Sequence, residues 1–156
     1  MGKTAIYPGS FDPFTNGHLD IVRKAAEIFD RVYIVIGVNS EKARSFPAQR
    51  IAEAIEATLA AQAIENCQVV IWEGLVAEYA RLRGSNYMIR GLRNNMDYNY
   101  EENIAAVNKL INPELESVYF RSNNIAVSSS MVKELLSYGR DVSQFVPASV
   151  LPLLKP

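Results

Sequence analysis

The chain has 156 residues, 49% of them hydrophobic and 21% charged, with a formal net charge of −1. That is enough sequence for one domain with a sizeable core, and the charge excludes a generally basic nucleic-acid binder. No apolar run approaches the ~20 residues that span a bilayer. No basic, apolar leader opens the sequence, and the single cysteine, Cys67, excludes an intramolecular disulfide, so a cytoplasmic protein without nucleic-acid or membrane partners is expected.

In chain order, "TAIYP" at residues 4–8 is a short apolar run closed by Pro8 and Gly9, which predicts a buried strand. Leu19, Val22, Ala26 and Phe29 recur at helical spacing, widened by Ile21, Ala25 and Ile28, and predict a helix over 18–29. "VYIVIGV" at 32–38 is a continuous run dominated by β-branched residues, as in a strand covered on both faces. A helix over 48–61 follows, rich in Ala, Ile and Glu. Next come a strand at 68–72, a helix at 76–82, a short strand at 87–89 and a helix within 98–111. A last strand at 117–120 and helices at 130–138 and 148–154 complete the pattern. Strands alternating with helices predict a single α/β domain over residues 1–156, a doubly wound, Rossmann-like sheet of about five parallel strands with helices on both faces.

In such a sheet ligands sit beyond the carboxyl ends of the strands, where strand order reverses, so the segments after the strands are the places to search. The first is "YPGSFDPFTNGH", residues 7–18. Here Pro8 and Gly9 are expected to stop the strand, Pro13 to stiffen the turn, and Thr15 or Asn16 to cap a helix. Gly17 leaves the backbone bare, and His18, the one histidine, falls where amides and helix dipole favour an anion. The second, "GVNSEKARSF" at 37–46, offers Lys42 and Arg44 from a loop. In the third, "IRGLRNNMDYNYE" at 89–101, Arg90 and Arg93 flank Gly91, which is expected to permit an unusual turn, and two guanidiniums suit phosphate. The fourth, "NNIAVSSSMVKE" at 123–134, starts a helix with three serines. A capping box would put Glu or Gln three residues after the cap, but the residues there are Met131, Val132 and Lys133, so no carboxylate guards that positive end. Each segment alone fits a capped or solvated loop; four at successive strand ends predict a polyphosphate site.

These segments resemble the nucleotidyltransferase superfamily with a T/H-x-G-H signature, here "TNGH" at 15–18. Together with the Lys42 loop, "IRGLR", "DYNYE", "NPELESV" and "SSSMVKE", in order over nearly the whole chain, they are similar to bacterial phosphopantetheine adenylyltransferases. The resemblance implies transfer of the adenylyl group of ATP to 4′-phosphopantetheine, with Mg²⁺ as cofactor and a homohexamer as the assembly. It further implies that Ser10, Phe11, His18, Gly91, Leu92, Arg93, Glu101 and residues 124–130 (Asn124, Ile125, Ala126, Val127, Ser128, Ser129, Ser130) bind ATP. Ser10, Lys42, Val76 and Arg90 would hold the acceptor, and His18, Lys42 and Arg93 would be catalytic. Three departures stand out: Ser10 where threonine is common, a segment after Phe46 one residue shorter, and no aromatic before the serine run.

The acceptor is a phosphate monoester, mostly dianionic at neutral pH because its second pKa is about 6, so it needs neither a protein base nor a covalent intermediate. What it needs is in-line placement of two polyanions and neutralised charge. No side-chain cluster suggests a protein-built metal cage, so Mg²⁺ is expected to arrive on ATP. Two other readings remain open: a relative acting on nicotinate mononucleotide or glycerol phosphate, and a nucleotide sensor without turnover.

Overall fold

A computed structural model describes residues 2–93, 95–123 and 127–155; for 95–98, 100 and 101 it describes the backbone alone. The elements run β1 (Thr4–Gly9), α1 (Asn16–Ile28), β2 (Arg31–Val38), α2 (Ala48–Ala61), β3 (Cys67–Glu73), α3 (Val76–Leu82), β4 (Tyr87–Leu92), α4 (Asn95–Ile111), β5 (Glu116–Arg121), α5 (Ser129–Ser137) and α6 (Leu151–Leu154). Every strand and helix expected from the sequence is present. The five strands form one parallel sheet in the order β3-β2-β1-β4-β5.

Period-two alternation distributes the strand side chains between two cores. Ala5, Tyr7, Val32, Ile34, Ile36 and Ile89 face α1, α2 and α5. Ile6, Val35 and Met88, from the intervening positions, face Ala77, Tyr79 and Ala80 of α3 together with Leu115. Both faces are therefore covered, which is why β2 reads as an unbroken apolar run rather than an alternating one. Ile6, Ile34, Ile36 and Ile89 are wholly buried. Each such side chain contributes about 1.5–3 kcal/mol relative to an exposed one.

Order reverses between β1 and β4, and the pairing there is short. β1 pairs with β2 along its whole length, Thr4↔Arg31 to Gly9↔Ile36, but with β4 only at Ala5↔Tyr87 and Ile6↔Met88. Beyond Ile6 the two strands part, and a crevice opens. Contrary to the expectation that Pro8 and Gly9 stop the strand, β1 continues through both. The Pro8 carbonyl faces the β4 side, where it accepts a hydrogen bond from Arg90 Nη1 at 2.8 Å. The missing N–H of Pro8 points to the same side, where the ladder has already ended, so it costs no strand bond.

Candidate active site

The crevice encloses about 290 Å³ at the carboxyl ends of β1 and β4. Its walls come from four segments: Tyr7 to Phe11, Gly17 with His18 and Ile21, Arg90 to Arg93, and Ser122 with Val127 to Ser130. Three of the four segments singled out in the sequence thus meet at one place, brought together from residues 7–18, 90–93 and 127–130.

The turn after β1 holds His18 by packing and by hydrogen bonding. Phe11 adopts φ +47, a conformation rare outside glycine, and its buried ring lies against Gly9, where an added Cβ would stand 3.0 Å away. A side chain at Gly9 would have to push that ring aside. The Phe11 ring meets Tyr7 at 5.2 Å and the His18 imidazole edge-on at 4.9 Å, while Phe14 stacks on His18 at 5.5 Å. Thr15 caps α1, and its backbone N–H donates to His18 Nδ1 at 3.0 Å. The reciprocal bond runs from His18 N–H to Thr15 Oγ1 at 3.4 Å, so histidine takes the part that Glu or Gln plays in a capping box.

That geometry assigns the tautomer. With Nδ1 accepting, the proton sits on Nε2, and the ring is a donor toward the crevice. Burial first, then the charges of Arg90 and Arg93, pull the His18 pKa down to about 4. The ring is thus neutral at pH 7, held in one orientation, and able to donate without first losing a proton. A backbone donor joins it. At the start of α1 the Asn16 N–H is taken by the Phe145 carbonyl at 2.9 Å and the His18 N–H by Thr15. Gly17 between them lines the crevice, with its backbone amide at the positive end of the helix.

Gly91 differs from expectation. It lies inside β4 with an ordinary φ, and an added Cβ would meet only Ile21 at 3.5 Å, so no unusual turn requires it. The fold leaves room for a Cβ there, and Gly91 lines the crevice. Leu92 and Arg93 continue the same wall.

At α5, Ser128 is the N-cap, accepting from the Met131 N–H at 3.1 Å, and no acidic residue occupies the first turn. Ser129 Oγ donates to the Pro13 carbonyl at 2.7 Å and braces the helix against the β1–α1 turn. Ser130 is exposed on the crevice wall. The serine run is therefore partly fold device and partly lining.

Lys42 and Val76 do not reach the crevice. Lys42 is exposed on a turn closed by its N–H to the Asn39 carbonyl at 2.9 Å. Val76 opens α3 and packs on the second core. Both follow carboxyl ends of strands, β2 and β3, on one side of the crevice. Ser10 is exposed at its mouth, while the Phe11 ring is spent on packing. The Glu101 side chain and Asn124, Ile125 and Ala126 lie outside the described residues.

Two carboxylates escaped the sequence reading. Asp12, in the first turn, binds the loop after β2; Asp20, on the buried side of α1, accepts from Ser122 Oγ at 3.2 Å and from the Asn123 N–H. The available signal was an acid placed among residues that otherwise favour anions. Among the described residues no group of three or more His, Cys, Asp or Glu side chains gathers. Cations, hydroxyls and amides suit phosphate oxygens, so this wall accommodates a metal ion that travels on a nucleotide, and the described side chains supply no carboxylate cage.

The cytidylyltransferase-like family model matches residues 6–135, which include every described wall of the crevice. A phosphopantetheine adenylyltransferase of Cytophaga hutchinsonii is 43% identical over 152 residues, covering 96% of this chain and 100% of the relative. The chain belongs to the phosphopantetheine adenylyltransferase family. Another member, from Shouchella clausii, is 41% identical over 98% of this chain and 96% of its own. A solved structure from Vibrio parahaemolyticus, provisionally described as a nicotinate-nucleotide adenylyltransferase, superposes with a TM-score of 0.72 over 99% of this chain and 92% of that one. At 17% identity it bears on the fold alone. No helix among the described residues is long and apolar enough to cross a membrane.

Proposed function

We infer that this chain transfers the adenylyl group of ATP to 4′-phosphopantetheine, giving 3′-dephospho-coenzyme A and pyrophosphate, the penultimate step of coenzyme A synthesis. The observation that carries the reading is the neutral His18 donor, fixed beside Arg90 and Arg93 in a crevice between two helix starts, in a chain related over its whole length to adenylyltransferases. No base is required. A phosphate oxygen of the acceptor attacks the α-phosphorus, the new O–P bond forms as the bond to the β-phosphate oxygen breaks, and pyrophosphate leaves with that electron pair.

His18 Nε2–H and the Gly17 amide would donate to the α-phosphate oxygens as their charge changes. Arg93, the amides starting α5, and Ser128 to Ser130 would hold the outer phosphates, with Gly91 bare enough to let the nucleotide lie on β4 beside Leu92. Phe11 would act by supporting His18. Arg90 and Ser10 would meet the acceptor phosphate, Lys42 would reach it from its loop, and the start of α3 at Val76 would border the pantetheine arm. Mg²⁺, carried by ATP, would neutralise charge on the phosphates. The same reading places the enzyme in the cytoplasm as a single nucleotidyltransferase domain, assembled as a homohexamer.

The test is to incubate the protein with ATP, Mg²⁺ and 4′-phosphopantetheine, with nicotinate mononucleotide in parallel, and to assay pyrophosphate. Release with phosphopantetheine alone is expected. Release with nicotinate mononucleotide alone, or with neither, overturns the reading.

A further inference from the structure

We propose that Asp12 is a positioning residue for the acceptor side of the site, because its carboxylate latches the loop that carries Lys42 onto the turn that carries His18. The inference rests on the reading of Lys42 as an acceptor-phosphate ligand. Asp12 is 7% exposed, and its two oxygens each take one of two consecutive amides: the Ser45 N–H donates to Oδ2 and the Phe46 N–H to Oδ1, both at 2.8 Å. Two cations stand further off. Arg44 Nη2 is 3.8 Å from Oδ1, and Lys133 Nζ, from α5, is 3.7 Å from Oδ2. The short amide bonds do the holding, and the looser ion pairs offset the buried charge.

Loop 39–46 has few other ties. Its remaining described hydrogen bonds are local: Lys42 N–H to the Asn39 carbonyl, Glu41 N–H to Asn39 Oδ1, and Arg44 Nε to the Phe46 carbonyl. Apart from the Phe46 ring, which packs on the core, Asp12 is what binds this loop to the rest of the chain among the described residues. Lys42 lies three residues before Ser45, so the latch keeps its backbone within about 10 Å of a point fixed on the β1–α1 turn. Released, the loop samples many more positions, and Lys42 meets the acceptor in only a fraction of them. ATP, on the other side of the crevice, does not depend on that loop.

The experiment combines steady-state kinetics with hydrogen exchange on the full chain. Asp12→Asn keeps the size of the side chain but sets an amide N–H₂ against one of the two backbone donors. Ser45→Pro removes one donor and leaves Asp12 intact, which keeps the test available if the buried substitution prevents folding. Each variant is expected to raise the KM for 4′-phosphopantetheine tenfold or more, to lower kcat, and to leave the KM for ATP within twofold. The double variant should be no worse than the stronger single one, since both cut one latch. In substrate-free protein, the Ser45 and Phe46 amides of Asp12→Asn should exchange at least tenfold faster than in the wild type. Parallel rises in both KM values, multiplicative effects in the double variant, or unchanged exchange overturn the latch. If the wild type fails to adenylylate phosphopantetheine while exchange still accelerates in Asp12→Asn, the assigned reaction falls and the latch stands.

Discussion

Around His18 the site is finished before any ligand arrives: two aromatic rings, a capping bond and two neighbouring guanidiniums define the ring's orientation and its charge. Around Lys42 nothing comparable exists among the described residues. The ammonium is exposed on a turn, and its loop is tied down at one end by a carboxylate from the β1–α1 turn. The difference teaches where each kind of work is done. A group that stabilises charge in a transition state loses its effect if it must reorient, so it belongs on a packed helix start. A group that receives a substrate between turnovers can sit on a loop that opens and closes.

Substituting His18 tests this contrast with the largest expected effect. His18→Ala should lower kcat by about two to three orders of magnitude, the scale of losing one oriented donor. It should also cost about 1 kcal/mol of stability, because the Thr15 N–H loses its acceptor at Nδ1 while the Thr15 cap itself remains. Unchanged turnover in folded protein would remove His18 from catalysis. For Lys42→Ala, kcat/KM toward the acceptor should fall on the order of tenfold to a hundredfold, with stability within about 0.5 kcal/mol of wild type because the side chain is exposed. A loss confined to ATP would reverse the proposed sides.

Arg90→Ala sharpens the contrast through stability. The Pro8 carbonyl loses its donor where β1 and β4 part, and denaturant unfolding should show a loss of about 1–3 kcal/mol, against almost none for Lys42→Ala. The pH dependence of stability extends the contrast. His18 titrates near 4 in the fold and near its ordinary 6.5 when unfolded. The unfolded chain therefore binds the extra proton more readily, and stability should fall as pH drops from about 6.5 toward 4, then level off. His18→Gln keeps a capping-box residue at that position, so it should flatten this slope while losing less activity than His18→Ala. A low-pH limb near 6 in kcat/KM for the acceptor should persist in His18→Gln, since it belongs to the free acceptor phosphate. Its disappearance would return the titration to the histidine.

Much of this was legible in the residues, and the parts that were not share a cause. Apolar periodicity and Gly/Pro punctuation located every element, because burial and backbone restriction are local demands. By composition "RGL" looks like a turn that ends β4 at Ile89, yet the strand runs to Leu92, because pairing with β5 through Leu92↔Arg121 overrides that preference. Gly91 was read as a turn glycine for the same reason. The three serines read as a capped, carboxylate-free helix start, which is what α5 has, but the commitment of Ser129 to the Pro13 carbonyl needed the fold.

By itself, then, the sequence determined the alternation of strands and helices, the pairing of His18 with a helix start, and the family, all carried by residues close in the chain or by motifs in order. Tertiary structure alone decided that β1 and β4 part after Ile6, that Arg90 closes the gap by binding the Pro8 carbonyl, and that burial beside Arg90 and Arg93 keeps His18 neutral. It also decided that Asp12 meets Ser45, Phe46 and Lys133. Those contacts join residues 33 to 121 positions apart, and nothing in the local sequence reports the distance or the desolvation on which they depend.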